Sequence, residues 1–134
     1  MINDTIKVTG ELKLTLTNPD GNTHETVIPN IVVTDGKKYI ASRMKDASAT
    51  AMSHMAIGTG STAAAAGDAA LGTEAGRVAL TSTTVTSNAV AYVATFPAGT
   101  GTGAVTEAGI LNASSSGTLL CRTVFSVINK GAAD

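Results

Sequence analysis

The clearest pattern along the chain is an alternation near its start. Ile6, Val8, Leu12, Leu14 and Leu16 share one parity, while Lys7, Thr9, Glu11, Lys13 and Thr15 share the other. Period two is the mark of a half-buried strand, which predicts a strand over 6–16. Gly10 interrupts the apolar face, a usual place for a bulge. Asn18-Pro19-Asp20-Gly21 reads as a turn, because Pro presets φ and Gly tolerates positive φ. A second strand is predicted over about 23–33, through Val27, Ile28 and Ile31-Val32-Val33. Pro29 lacks an N–H, so this strand is expected to lie at a sheet edge or to break there.

Thr34-Asp35-Gly36 then reads as a helix N-cap. Ile40 and Met44 share a helical face, with Tyr39, Ala41 and Ala47 near it, which predicts a short amphipathic helix over about 36–46. His54-Met55-Ala56-Ile57-Gly58-Thr59-Gly60 reads as a short strand running into a glycine turn. Residues 63–67 are low in complexity and are expected to be loop, or at most one helical turn. Two hairpins follow. The first pairs 77–86 with 88–96, and Val90, Tyr92, Ala94 and Phe96 share one face of it. Residues 97–103, rich in glycine, read as a flexible connection. The second hairpin pairs 105–111 with 118–128 across 112–117, leaving 129–134 as a polar tail. If Asn112 faces Gly117, the ladder sets Glu107 opposite Arg122. Such a pair contributes only about 0.2–1 kcal/mol and acts more as a register lock than as a source of stability.

Many short strands with one helix predict a mainly β fold, an antiparallel β-sandwich with one short α-helix. The length of 134 residues fits a single domain over 1–134. No repeat at solenoid spacing occurs, and no linker divides the chain.

Composition narrows the function. Two Phe, two Tyr and no Trp leave the core to aliphatic side chains and Ala. Charged residues make up 14% of the chain, against roughly 25% in ordinary soluble domains. A surface this lightly solvated favours a protein that covers itself with partners. The net charge of −1 builds no positive field, so no nucleic-acid partner is expected. Lys37, Lys38, Arg43 and Lys45 cluster, but Asp35 and Asp46 flank them, as on the solvated face of a helix. No segment reaches the roughly 18 apolar residues of a membrane helix, and the start Met1-Ile2-Asn3-Asp4 has no signal-peptide character. No membrane partner is expected.

Candidate chemistry is sparse. Cys121 is the single cysteine; it lies in the apolar run Leu119-Leu120-Cys121 and is expected to be buried and inert. His24 and His54 have no second ligand at metal spacing, so no metal site is expected. No serine has the context of an activated nucleophile, and no catalytic residue is assigned. Gly58-Thr59-Gly60 and the glycines of 99–103 lack the Lys-Ser/Thr ending of a phosphate loop and read as turn glycines. Asp68, Glu74 and Glu107 read as isolated carboxylates, and a sugar-cleaving pair lacks the aromatic platform that sugars need. No cofactor is expected. Two structural ion pairs are candidates: Glu107 with Arg122, and Glu74 with Arg77. The second reads either as a screened surface pair on a helical turn or as a clasp between the central loop and the next strand.

Residues 55–134 carry a resemblance. The ordered pattern runs from Met55-Ala56-Ile57-Gly58-Thr59-Gly60 through Leu71, Glu74, Arg77 and Phe96. It continues through Thr106-Glu107-Ala108-Gly109-Ile110-Leu111-Asn112, Gly117-Thr118-Leu119-Leu120-Cys121-Arg122 and Phe125, and ends near Lys130. It is similar to small tailed-bacteriophage structural proteins, usually described as stand-alone tail fibre proteins. It also resembles the N-terminal attachment domain of tail-collar fibre proteins, which anchors fibres to the tail or baseplate. Upstream, Asn30-Ile31-Val32-Val33-Thr34-Asp35-Gly36-Lys37 fits the stand-alone members. The resemblance implies a non-enzymatic virion protein, a homo-oligomer whose partners are other phage proteins of the tail, baseplate or capsid. A whole fibre continues into a trimeric shaft and a receptor-binding tip, whereas this sequence ends at Asp134. The expected role is therefore a tail-associated adaptor or fibre-attachment module. The alternative is a capsid decoration protein that cements the head. Candidate docking segments are 59–72, 97–103 and the two termini.

Overall fold

A computed structural model describes residues 1–3, 7–46 and 48–134. Ile6 and Ala47, which the sequence places in the first strand and beside the helix, lie outside the described residues. The elements are β1 (Gly10–Thr17), β2 (Thr23–Val32), α1 (Thr34–Lys45), β3 (His54–Gly58), β4 (Glu74–Ala79), β5 (Ser82–Thr86), β6 (Ala89–Val93), β7 (Gly103–Leu111) and β8 (Leu119–Lys130). Six of them form one antiparallel sheet in the order β1-β2-β8-β7-β3-β4, and β5-β6 form a second. The fold is mainly β and sandwich-like, with one helix.

The alternation at the start builds β1, though the strand begins at Gly10 and residues 7–9 are not part of it. Val8 still packs on the core. No bulge occurs at Gly10, because the β1–β2 register runs unbroken from Gly10↔Asn30 to Thr17↔Thr23. Glycine stands there for another reason: the Asn30 side-chain amide occupies the place of a Cβ. The predicted turn forms, with Gly21 at φ +88° and the Asp20 carboxylate accepting from the Asn22 N–H at 3.0 Å.

Pro29 does not put β2 at the sheet edge, since β2 lies between β1 and β8. It lies where one of the two ladders has ended. β2 pairs with β8 only at Ile31↔Arg122 and Val32↔Cys121, so the missing N–H of Pro29 breaks no bond on that side. The Pro29 carbonyl accepts from Thr123 Oγ1 at 2.9 Å. Beyond that point the β1–β2 ribbon packs Leu12, Leu14 and Ile28 onto Ile57, Val105, Ala108 and Phe125 of the sheet.

The helix starts earlier than predicted, and the Thr34-Asp35-Gly36 cap does not form. Val33 is the N-cap, without a side-chain cap bond. Its own N–H is held by the Leu120 carbonyl at 3.1 Å, and the Thr34 N–H by the Ala66 carbonyl at 2.8 Å. Neighbouring backbone thus satisfies the N–H groups at the entry to the helix. Tyr39 and Ile40 pack on the core, whereas Met44 is 63% exposed. Gly36 is buried with its backbone directly over the Leu120 carbonyl, where no Cβ fits.

The first hairpin is shorter than the sequence predicts. Residues 77–79 belong to β4 and pair with β3; only β5 is left for β6, from Ser82↔Val93 to Thr86↔Ala89. Residues 97–103 are not a free tether, for Gly101 is buried against Ile57. The polar tail is also shorter: β8 runs to Lys130, whose ammonium is buried and donates to the carbonyl oxygens of Pro97 and Asp134 at 3.1 and 2.9 Å.

Register places Met55, Ile57, Ala108, Ile110 and Cys121 on one face of the sheet, and Ala56, Glu107 and Arg122 on the other. The first face takes Tyr92, Ala94 and Phe96 from β6 and the segment that follows it. The second is covered by residues 59–73, with Leu71 packed on Ala56, Leu111 and Leu119.

Candidate functional site: a buried charge brace under the 59–73 loop

Charged side chains are seldom buried without partners. Glu107 of β7 is 0% exposed and Arg122 of β8 is 2% exposed. They do meet, but not opposite each other. Glu107 stands opposite Val124, and Arg122 opposite Gly109. The expected Glu107–Arg122 register is therefore corrected by two positions. The turn pairs the Asn112 N–H with the Thr118 carbonyl, and the register then slips between Ile110↔Cys121 and Leu111↔Leu119, leaving Leu120 extra. That bulge turns the Leu120 carbonyl toward Val33. The ion pair closes along the diagonal, with Arg122 Nε and Nη2 at 2.9 and 2.8 Å from Glu107 Oε2.

The carboxylate has further donors. Oε1 accepts from the N–H groups of Gly60 and Thr73 at 2.9 and 2.7 Å, and Oε2 from that of Gly72 at 2.8 Å. Both ends of the 59–73 loop thus hang on one buried side chain. Gly60 is required by this approach, since a Cβ there would lie 2.5 Å from Glu107 Oε1. Thr106 Oγ1 donates to the Gly60 carbonyl at 2.9 Å from the neighbouring position. Burial by itself raises the pKa of Glu107; the bonds from Thr73, Gly72, Arg122 and Gly60 outweigh it and hold the carboxyl below its ordinary value.

Arg122 extends the brace into the middle of the loop. Its Nη1 reaches Asp68 Oδ2 at 2.8 Å, and its Nη2 the Thr62 carbonyl at 3.0 Å. The Ala65 N–H donates to the same Asp68 oxygen at 2.9 Å. That bond, with the guanidinium, lowers the Asp68 pKa against a smaller opposing effect of burial. Asp68, an isolated carboxylate by sequence, is thus a member of the network. Nothing local marks it, because 54 positions separate it from Arg122.

The second pair is bidentate. Arg77 Nε and Nη2 lie 3.1 and 2.7 Å from the Glu74 oxygens. The two residues are on strand β4 and not on a helical turn. Gly58 pairs with Glu74 and Ile57 with Gly76, so Ala75 is an extra residue between them. That bulge brings positions three apart to one side of the strand. Arg77 Nη1 also donates to the carbonyls of Ala113 and Ser116 at 2.8 and 2.9 Å. The clasp therefore holds the β7–β8 turn to β4.

The remaining chemistry-bearing residues lie apart. His24 pairs across from Leu16, and His54 shares a 2.8 Å hydrogen bond with Ser53 Oγ. Cys121 is buried, which pushes its thiol pKa up to about 11. Among the described residues, no group of three or more His, Cys, Asp and Glu is placed to hold a metal ion. Among the described residues, no helix is long and apolar enough to cross a membrane. An open groove of about 430 Å³ runs where β2 parts from β8, lined by Pro29, Asn30, Ala63, Ala64 and Thr123 among others. No family model matches the chain, no curated protein matches it in sequence, and no solved structure matches it in fold.

Proposed function

We propose that the chain is a structural protein of a bacteriophage virion, a tail-associated adaptor or fibre-attachment module that acts by protein–protein assembly and not by catalysis. One observation carries this reading. The polar residues within the phage-like pattern are engaged with their own chain. Thr106, Glu107 and Arg122 hold the 59–73 loop, and Glu74 and Arg77 hold the 112–117 turn. They set the shape of two surface segments, and their charged groups are paired within the chain. A shaped, weakly charged surface is what a docking piece requires.

The second reading is capsid decoration. Apolar side chains stand exposed on separate strands, Val27 on β2, Val85 on β5 and Val127 on β8, which suits a cement piece touched from several sides. Locating the protein in the particle separates the two. Cryo-EM density at the tail vertex supports the adaptor, and copies spread over the capsid lattice support decoration. Cell-wall or capsule hydrolysis that is lost in a folded Glu107→Gln or Glu74→Gln variant would overturn both.

A further inference from the structure

Among the described residues, the β5–β6 hairpin has no neighbouring strand. It is a sheet of its own, so each strand has one edge unpaired. All five residues of β5 are exposed. A two-stranded hairpin is marginal in water unless something covers it. Here Tyr92 anchors one end on the core. Register sets Thr83 opposite Tyr92 and Val85 opposite Val90, so these four side chains share a face. Tyr92 is half-buried on that face, yet Val85 and Val90 are 69% and 46% exposed. The face seated on the core at one end runs past its rim at the other.

Free strand edges are ordinarily guarded by lysine, proline or a bulge. This hairpin has none of these: its ladder is regular, and no charged side chain occurs between Arg77 and Glu107. That absence points to the occupant. A two-fold axis brings each residue near its own counterpart, so any charge on the surface would meet its like. A stretch without charge is free of that repulsion, and it offers a charged partner nothing complementary.

We propose that β5 pairs with β5 of a second copy of this chain, antiparallel about a two-fold axis at Thr84, to form a four-stranded sheet β6-β5-β5-β6. In that register Thr83 stands opposite the second copy's Val85, and Ser82 opposite its Thr86. Val85 and Val90 of the two copies line one continuous apolar strip. The inference stands on the hairpin and does not depend on the virion reading.

Analytical ultracentrifugation of the full chain tests it, at concentrations up to about 1 mM. A concentration-dependent dimer is expected. Thr84→Lys, exposed and on the face away from the core, places two ammonium groups across the axis and raises the dimer Kd by up to about fivefold. Its circular dichroism stays unchanged, as does its melting at concentrations where both proteins are monomeric. Thr84→Glu acts alike, and an equal mixture of the two variants restores the dimer, because opposite charges then meet. A chain that is monomeric throughout overturns the proposal. So does a dimer that Thr84→Lys leaves intact.

Discussion

Arg122 reaches Glu107 from two positions along the neighbouring strand, with Nε and Nη2 both within 2.9 Å of one carboxylate oxygen. The diagonal leaves the other carboxylate oxygen to the Gly60 and Thr73 N–H groups. One buried ion pair thereby orders a loop as well as two strands.

Breaking this pair strands a buried charge. Glu107→Gln is expected to destabilise the fold by about 3–5 kcal/mol, since Arg122 keeps its charge without its main partner. The double change Glu107→Gln with Arg122→Met should cost less than the sum of the single changes. Urea titrations of the four proteins measure this, and strict additivity would argue against the coupling.

The brace responds to acid with a definite sign. Glu107 and Asp68 both have pKa values below their ordinary ones of 4.5 and 3.8. A lowered folded-state pKa contributes stability that is complete above the unfolded value and is lost as pH falls through the folded value. Stability and loop order should therefore hold above the ordinary carboxylate range and decline below it. Hydrogen exchange at the Gly60, Gly72 and Thr73 amides is the readout. Protection that is unchanged well below that range would contradict it.

The helix and β8 approach too closely at Gly36 for a side chain. Gly36→Ala drives a Cβ into the Leu120 carbonyl, and rigid backbone cannot yield as a side chain can. A loss of about 1–3 kcal/mol is expected, the range for overpacking. Thermal unfolding measures it, with Gly67→Ala as control, where the space is open.

Arg77 should matter more than its partner. Glu74→Gln removes an ion pair at the surface and should cost less than about 1 kcal/mol. Arg77→Ala also frees the carbonyls of Ala113 and Ser116, for an expected loss of about 1–3 kcal/mol. Equal losses would place the stabilisation in the ion pair and not in the turn clasp.

Cys121 should resist thiol reagents in the native protein. Burial disfavours its thiolate, with the pKa pushed up to about 11, and the thiolate is the reactive form. Labelling should follow unfolding, with little modification of the native protein at neutral pH.

Local features were legible early because their causes are local. The Asn18–Gly21 turn depends on residues inside it, and the β1 strand on its own alternation. The assignment of 77–79 to the following hairpin failed for a physical reason. The run 77–86 is interrupted at Leu80 and Thr81, so its first part pairs back with β3 and only β5 is left for β6. The Leu120 bulge was equally hidden, since its carbonyl accepts from the N–H of Val33, far away in the chain.

By itself the sequence determined a mainly β chain with one helix, an aliphatic core, a buried cysteine and two candidate Glu–Arg ion pairs. Periodicity and charge belong to the side chains and are read without coordinates. Only the tertiary structure decided what Glu107 does. Its backbone donors come from residues 34, 35 and 47 positions away, and no side-chain pattern encodes the direction of a main-chain N–H.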